Sequence, residues 1–471
     1  MSVLHKFLCV FLAIALLSAC APATPVTPTA TPMPTETPGP TETPLPPSPT
    51  PWPTSTAIPT PVADTLFVDP AIDLGPISPY VYGSNYGPWV AIPFNMLDEG
   101  FNSRVTVLRW PGGNWGDISG NNIQTTQIDT FMGILNKMGA IPTISVRLLN
   151  GSPEAAAALV NYANIVKGYK VHYWSIGNEP NYYHEALKQP YDTVRYNREW
   201  RAMALAMKAV DPTIELLGPE VDGYTANEAA NKKDSAGRDW MTEFLKANGD
   251  LTDIVSVHRY PFPNNQSGIP ASIAEMRANS AEWDQTIPYL RGLIHETTGR
   301  DIPIAVTEIN SYWSDSVRGE TTPDSHYNAI WYADVLGRLV KQQVFMVNHF
   351  VLANSNGGLG MIANSELRPT YYVFQMYHHF GSQQVYAASG IPNVTVYAAK
   401  REDGALTLLV INLSDTEQSV PLQVKGMTPS QAGTWLFDAT HKAEDVGSTD
   451  LSGGALKLPA QSITLFELPI K

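Results

Sequence analysis

Residues 171–183, which read VHYWSIGNEPNYY, are the stretch that decides the fold of this chain. The apolar and aromatic run 171–176 is typical of a buried strand, and the Gly and Pro that follow mark an abrupt end. Because Pro180 has no N–H to donate, strand pairing stops there. The stretch therefore predicts that Glu179 lies at the C-terminal end of a buried strand, directly after Asn178.

A second stretch has the same form: residues 302–313 read IPIAVTEINSYW, and their apolar run ends at Glu308, which lies 129 positions after Glu179. That separation equals about three βα units of roughly 30–45 residues, which predicts strands 4 and 7 of an α/β (β/α)8 TIM barrel. Two carboxylates at one barrel mouth, one a neutral acid and one an anion, form the pair that cleavage of a glycosidic bond needs. The alternative is that each glutamate is an ordinary surface acid at a strand end.

These motifs resemble those of the large clan of retaining glycoside hydrolases that share (β/α)8 barrels. The resemblance rests on GNEP at 177–180 and on the later TE at 307–308. It implies that Glu179 is the acid/base and Glu308 the nucleophile of a double displacement. It also implies that Asn178 hydrogen-bonds the 2-hydroxyl group of the sugar.

Further motifs resemble two families of that clan. The segment LRWPGG at 108–113 resembles the α-L-arabinofuranosidases of family 51, which implies that Arg109 lies beneath Glu308 and keeps it ionised. The alternative is a structural arginine paired with another acid. Asn114 in the same turn, and Asn85 at the end of the predicted first strand, are candidate substrate-binding residues.

The part of the chain from strand 4 to the C-terminus resembles the heparanase and β-glucuronidase family 79 instead, through GNEPNYY, the HRYP turn at 258–261 and the late strand that contains NLS at 412–414. The resemblance to the clan implies that His258 and Tyr260 contact the substrate and the nucleophile, with Tyr260 as a donor to Glu308; a structural role for the histidine remains the alternative. Trp313 is a candidate stacking platform, and Glu220 is a third acid near the mouth. The two families imply different sugars, and no basic cluster near the motifs offers a partner for a uronate.

Composition and the absence of other motifs exclude several further classes of function. The 471 residues carry a formal net charge of −14 and no basic run, which argues against nucleic acid as a partner. The only cysteines are Cys9 and Cys20, so the rest of the chain has no disulfide or thiolate chemistry. No metal-binding spacing, phosphate loop or G-x-S-x-G motif is present, and we therefore expect no metal and no cofactor.

The N-terminal segment predicts export. Residues 1–20 have the pattern of a signal peptide and end LSAC, which resembles a bacterial lipoprotein signal with Cys20 as the lipidated residue; ordinary cleavage is the alternative. Residues 21–62 contain 15 Pro and 12 Thr among 42 residues, a composition that predicts an extended tether. We expect an extracytoplasmic protein that meets the membrane only through a lipid anchor.

The pattern of predicted elements changes near residue 385, from alternating strands and helices to short strands alone. It predicts a barrel at 63–385 and a small C-terminal β-sandwich at 386–471. The barrel strands are expected at 81–85, 105–108, 141–146, 171–176, 214–217, 254–257, 302–308 and 344–347, and the longest helix at 273–297. A short strand at 65–68 is a candidate partner of the sandwich. Three functions follow: a retaining glycosidase acting on oligo- or polysaccharides, a transglycosylase using the same residues, or a surface glycan-binding protein without turnover.

Overall fold

The structure is a computed structural model that describes residues 61–262, 270–314, 317–355 and 357–469. The predicted signal peptide, Cys20 and nearly all of the predicted tether lie outside the described residues. Within the described ranges, no helix combines the length and the apolar character needed to cross a membrane.

After β1 (Leu66–Pro76), which belongs to the C-terminal sheet, eight parallel strands of the described chain form a closed barrel. They are β2 (Gly83–Asn85), β3 (Val107–Trp110), β4 (Ile141–Val146), β5 (Tyr173–Ile176), β6 (Glu215–Asp222), β7 (Ile254–Arg259), β8 (Ile304–Ile309) and β9 (Met346–His349). Strand β9 pairs in parallel with β2 and closes the ring. The predicted barrel is confirmed, and the predicted fourth and seventh strands are β5 and β8. The first strand is shorter than expected, because Pro79–Tyr82 form a 3₁₀ turn before it.

Ten α-helices lie in the part of the chain that the structure describes. They are α1 (Leu97–Phe101), α2 (Thr125–Met138), α3 (Pro153–Val160), α4 (Tyr183–Leu187), α5 (Thr193–Val210), α6 (Trp240–Asn248), α7 (Ile273–Asn279), α8 (Trp283–Thr298), α9 (His326–Lys341) and α10 (Pro369–His378). The single helix expected at 273–297 is wrong, because the 3₁₀ turn Ser280–Glu282 separates α7 from α8. Helix α6 was missed, although Asp239 caps it by accepting from the Thr242 N–H.

Helix α2 shows how sequence pattern becomes packing. It ends at Gly139, whose φ of +69° is a left-handed conformation that glycine adopts without strain. Its buried Ile128, Phe131 and Leu135 are three and four positions apart, so they share one face toward the barrel. Each such side chain contributes about 1.5–3 kcal/mol through removal from water.

The N-terminal end of the barrel is filled by apolar side chains. Tyr80 packs edge-on against Tyr173 and Phe345, with ring centroids 5.5 and 5.4 Å apart. Val107, Leu217 and other residues of the barrel strands complete this cluster. Because this end is closed by packing, the polar side chains of the strands are left for the C-terminal end.

The C-terminal domain is built on a nine-stranded sheet that includes β1. Before it, a small three-stranded sheet is formed by β10 (Ala353–Asn354), β11 (Ile362–Ala363) and β12 (Glu366–Leu367). The strands of the domain are β13 (Gln383–Ser389), β14 (Val394–Lys400), β15 (Leu406–Asn412), β16 (Gln418–Val424), β17 (Gln431–Phe437), β18 (Lys442–Asp450), β19 (Ala455–Leu458) and β20 (Ser462–Leu468). Strand β1 pairs antiparallel with β13 and parallel with β16, as the short strand at 65–68 suggested. The predicted β-sandwich is confirmed.

The barrel and the sandwich meet through helix α9. Asp334 is fully buried and accepts hydrogen bonds from Thr395 and Tyr397 of β14, each at 2.6 Å. Arg338, one turn later on α9, donates to the other oxygen of Asp334 at 2.9 Å. A Cβ at Gly337 would fall 2.2 Å from the Tyr397 ring, so glycine is what allows this close approach.

Candidate active site

The C-terminal ends of five barrel strands bring the candidate residues together. Arg109 lies on β3, Glu179 three residues after β5, Glu220 on β6, His258 on β7 and Glu308 on β8. All these strands run in the same direction, so their C-terminal ends open onto one mouth. The two glutamates singled out by the sequence therefore share a site.

The backbone after β5 turns sharply to place Glu179. Gly177 has a φ of +84°, and a Cβ there would lie 2.6 Å from the Tyr183 hydroxyl, so a side chain would clash. Glu179 itself is left-handed, with a φ of +49°. Its N–H donates to the carbonyl of Glu220 at 3.1 Å, which fixes this turn against β6.

Asp117 holds the same turn from below. Its carboxylate accepts from the N–H groups of Asn178, Leu148 and Leu149 at 2.9, 2.9 and 2.7 Å, and from the hydroxyl of Tyr183. It thereby joins the loops that follow β3, β4 and β5. Burial raises the pKa of Asp117, although these donors oppose the shift. Sequence reasoning missed this residue, because an aspartate in a loop carries no motif.

Arg109 is the buried centre of the site. One terminal nitrogen donates to Glu308 at 2.6 Å and to Asn85 at 2.9 Å. The other donates to Asn178 at 2.9 Å and to Glu220. Burial disfavours the charge, but Glu220 and Glu308 outweigh it and raise the pKa of Arg109. The expected contact between Arg109 and Glu308 is present, and the structural alternative holds as well, because Glu220 is a second acid partner.

Glu308 is surrounded by donors. Its Oε1 accepts from Arg109 and from the N–H of Gly113 at 2.8 Å, and its Oε2 accepts from the Tyr260 hydroxyl at 2.8 Å. The Glu308 side chain is only 3 % exposed. Three donors to two oxygens hold the Glu308 carboxylate in one orientation. The contact from Tyr260 is the one that the sequence suggested.

Glu179 has the opposite environment. Burial raises its pKa to about 7, and the negative charges of Asp222 and Glu308 act in the same direction, while a hydrogen bond from His258 opposes the shift. The Glu179 side chain retains 12 % exposure, so it is accessible from the mouth. A carboxyl group that changes protonation near neutral pH suits proton transfer.

His258 lies between three carboxylates. Its Nδ1 is 3.0 Å from Glu179 and 3.8 Å from Glu308, and its Nε2 is 3.4 Å from Glu220. Burial disfavours the imidazolium, but the charge of Glu308 and the contacts with Glu179 and Glu220 outweigh it and raise the pKa of His258 to about 10. The ring is therefore a cation at neutral pH.

Glu179, His258 and Glu308 could also be regarded as a metal cluster, since their ligand atoms all lie within 4.8 Å of one another. A metal needs the free lone pair of a neutral imidazole. The carboxylates around His258 favour its protonated form, and both oxygens of Glu308 already accept from Arg109, Gly113 and Tyr260. The donor set therefore fits a proton-transfer site better than a metal site.

An aromatic wall extends from the Glu308 side of the site. The Tyr260 ring lies edge-on to Phe350, with centroids 6.2 Å apart, and Phe350 stacks on Trp89 at 6.5 Å. Sugar faces pack well on such rings, because their C–H groups are apolar. Sequence reasoning missed Phe350 and Trp89; for Phe350 the available signal was its place directly after barrel strand β9, and Trp89 had no comparable signal.

The remaining predicted site residues differ in how far they are exposed at the mouth. Asn178 is 2 % exposed and donates to the side chain of Asn114 at 2.9 Å. Asn85 is fully buried, and its amide donates to the Thr307 carbonyl at 3.0 Å while its oxygen accepts from Arg109. Its contacts in this structure are thus with the protein beneath the mouth. Trp313 lies five residues after Glu308, with 54 % of its surface exposed.

Comparison with known proteins places this geometry in a family. Residues 159–420 match the sequence profile of Glycosyl hydrolases family 39, and this range contains both glutamates. Residues 392–463 match that of the C-terminal immunoglobulin-like domain of D-apionate lactonase.

Among curated proteins, the chain is 23 % identical to a β-xylosidase of Geobacillus stearothermophilus in an alignment of 257 residues. The alignment covers 51 % of this chain and 46 % of that protein. It is 24 % identical to an intracellular exo-α-(1→5)-L-arabinofuranosidase of Streptomyces lividans over 259 residues, 42 % of this chain and 37 % of that protein. The matches thus span less than half the length of these relatives.

Solved structures share the whole architecture. An α-L-arabinofuranosidase from Thermotoga maritima superposes with a TM-score of 0.68 at 20 % identity, over 86 % of this chain and 100 % of that one. A family 44 xyloglucanase from Paenibacillus polymyxa gives 0.65 at 17 % identity, over 86 % and 99 %. At such identities the likeness shows the fold, whereas the profile match covers more than half of the sequence. This chain belongs to glycosyl hydrolase family 39.

Proposed function

We propose that this protein is a retaining glycoside hydrolase that uses Glu308 as nucleophile and Glu179 as acid/base. The observation that carries the proposal is the spacing of the pair, whose nearest ligand atoms lie within 4.8 Å. Retaining enzymes hold their carboxyl groups about 5–5.5 Å apart, whereas inverting enzymes need about 6.5–9.5 Å to admit a water. The contrasting environments of the two groups support the same division of roles.

The reaction proceeds in two displacements. Glu308 attacks the anomeric carbon while Glu179 gives its proton to the departing glycosidic oxygen, which leaves a glycosyl ester on Glu308. The ionised Glu179 then takes a proton from water, whose oxygen attacks the same carbon and releases Glu308. Each step passes one proton through Glu179, so the net charge is conserved.

For the substrate we propose a neutral pentoside, as the names of the β-xylosidase and arabinofuranosidase relatives suggest. The cations of the cluster support a neutral sugar. Arg109 is held by Glu220 and Glu308, and His258 lies against Glu179 and Glu220. A uronate would have to draw one of them away from a buried carboxylate, which costs several kcal/mol.

We also propose that the enzyme works outside the cytoplasm, anchored through Cys20 with residues 21–62 as a tether. The support is the LSAC motif and the Pro/Thr-rich composition. Replacement of Cys20 by Ser should move the protein from the membrane fraction to the soluble fraction. Equal distribution of both forms would contradict the anchor.

The test of the reaction uses aryl β-xylosides and aryl α-L-arabinofuranosides, with NMR observation of the first product anomer. We expect the product to keep the configuration of the substrate, and Glu308→Ala to lose activity by on the order of 10⁴-fold or more. Azide should restore release from Glu308→Ala and give a glycosyl azide of inverted configuration. Glu296→Ala, which changes an exposed glutamate on α8, is the matched control.

Other outcomes would redirect the proposal. An inverted first product would contradict the double displacement. Sugar transfer to an added acceptor in preference to water would indicate a transglycosylase, and glycan binding without any turnover would indicate a binding protein. Loss of rate with a chelator, restored by a metal ion, would replace the two-carboxylate mechanism with a metal site at Glu179, His258 and Glu308.

A further inference from the structure

Glu220 is the acid of the cluster that the double displacement does not use. It is fully buried, and its Oε2 accepts from Arg109 and lies 3.4 Å from Nε2 of His258. Its backbone carbonyl accepts the N–H of Glu179. Burial of a carboxylate is costly, and this one contacts two cations and also anchors the turn that carries Glu179. A function in the reaction would account for its burial.

The two cations extend from Glu220 toward different members of the catalytic pair. Arg109 contacts Glu220 with one terminal nitrogen and Glu308 with the other. His258 contacts Glu220 through Nε2 and Glu179 through Nδ1. Glu220 is therefore the shared counter-ion behind both catalytic carboxyl groups.

We propose that Glu220 is a positioning residue that holds Arg109 against Glu308 and His258 against Glu179, and so balances the buried charge at each stage of the reaction. The proposal rests on the proposed function. In the free enzyme, Glu220 and Glu308 carry two negative charges against two positive ones, and the cluster is neutral when Glu179 is protonated.

The same balance changes when the glycosyl ester forms. Glu308 then has no charge, and Glu220 alone faces the two cations, which leaves one surplus positive charge. Ionisation of Glu179 restores neutrality, and the ionised form is the one that deprotonates water. Without Glu220, the free enzyme would already carry the surplus positive charge, and Glu179 would ionise too early to act as an acid.

Other titratable groups face the cluster, but the two reaction steps transfer no proton to or from them. Asp222 lies near Glu179 and accepts from the Tyr182 hydroxyl at 2.7 Å. Asp117 lies behind Asn178, and Tyr260 donates to Glu308. Burial, followed by the charges of Glu308 and Glu179, raises the pKa of Tyr260 well above its usual value, so it stays neutral.

The test is Glu220→Gln, which removes one charge and keeps the shape. We expect the alkaline limb of the kcat/KM profile to move by about one pH unit to lower pH, because Glu179 loses its proton more readily. At pH 7, hydrolysis of an alkyl xyloside should fall about fivefold more than that of a dinitrophenyl xyloside, whose leaving group needs no proton. Asp334→Asn, a buried acid beside an arginine but far along the chain on α9, should leave the profile unchanged.

A merely structural role predicts a different pattern. An unshifted alkaline limb in Glu220→Gln, with equal losses for both leaving groups, would overturn the proposal. Should this variant fail to fold, Glu220→Asp and Glu220→Asn offer a second pair of variants with the same shape and different charge. The proposal requires the alkaline limb of the kcat/KM profile to lie at lower pH in the Asn form than in the Asp form. Absence of hydrolysis by the unaltered protein would refute the proposed function instead, so the two failures are distinguishable.

Discussion

Two buried clusters of this protein each combine acidic side chains with cations but match their charges differently. At the junction of α9 with the sandwich, the fully buried Asp334 faces Arg338 and receives two hydroxyl donors. At the barrel mouth, Glu179, Glu220 and Glu308 face Arg109 and His258. The first cluster has one buried acid for one arginine, whereas the second has one acid more than it has cations.

The difference appears in the pKa values. At the junction, burial disfavours the charge of Asp334, but Arg338 and the hydroxyl donors outweigh it and lower its pKa. At the mouth, the surplus acid is Glu179, and burial raises its pKa to about 7. A buried cluster with matched charges stabilises a contact, while a surplus acid yields a group that exchanges protons near neutral pH.

The largest effect that tests this comparison is expected from removal of the surplus acid. Glu179→Ala should lower kcat/KM for substrates with poor leaving groups by about 10²–10⁴-fold, because general acid catalysis is lost. Activated aryl glycosides should still form the glycosyl ester, and azide should accelerate its turnover to a glycosyl azide of retained configuration. The measurement is kcat/KM against leaving-group pKa.

The control for this variant is Glu185→Ala on α4, six residues later, whose side chain is 65 % exposed. It should behave as the unaltered enzyme does. Equal loss for good and poor leaving groups in Glu179→Ala, or no response to azide, would show that Glu179 is not the acid/base.

The fold, and the meeting of Glu179 and Glu308 at one barrel mouth, could be predicted from sequence because their signals are local. The apolar run before Glu179, and the Gly and Pro around it, define a strand end without any knowledge of the partner strands. The same holds for Glu308. Helix boundaries were harder to predict from sequence. The turn at 280–282 interrupts an apolar periodicity that is continuous in the sequence.

The rest of the site depends on contacts between distant residues. Glu220 and Arg109 are separated by 111 positions, and nothing near either of them in the sequence identifies the other. The stacking of Trp89 on Phe350 is likewise a contact between loops at opposite ends of the barrel sequence. Charge matching is a property of the assembled mouth, and the sequence motifs show only its separate members.

A smaller effect is expected at the hydroxyl that donates to Glu308. Tyr260→Phe removes this hydroxyl, which lies 2.8 Å from Oε2 of Glu308. A hydrogen bond to a charged group contributes about 1.5–3 kcal/mol, so kcat/KM should fall about 10- to 100-fold. The fall should appear in kcat as well, because the donor orients the reacting carboxylate rather than the bound sugar.

Tyr312→Phe is the matched control, since its hydroxyl accepts from the backbone of Ala271 rather than contacting Glu308. A rise in KM at unchanged kcat in Tyr260→Phe would instead assign the hydroxyl to substrate binding. Tyr260 would then not count among the donors that hold the Glu308 carboxylate.

The smallest effect on catalysis is expected where the charges are matched. Asp334→Asn leaves Arg338 with only the partly exposed Asp284 as acid partner, and loss of one member of a buried ion pair costs about 3–5 kcal/mol of the free energy of unfolding at pH 7. Because the folded-state pKa of Asp334 is lowered, the stabilisation it provides is present above the unfolded pKa of about 4 and is lost as the pH falls from there through the folded-state pKa. Unfolding in urea at pH 7 and at about pH 2 should therefore separate the two proteins at the higher pH and bring them closer at the lower. Unchanged stability at pH 7, or a shifted pH–rate profile in the folded variant, would show that the junction does not differ from the mouth in the way its charges indicate.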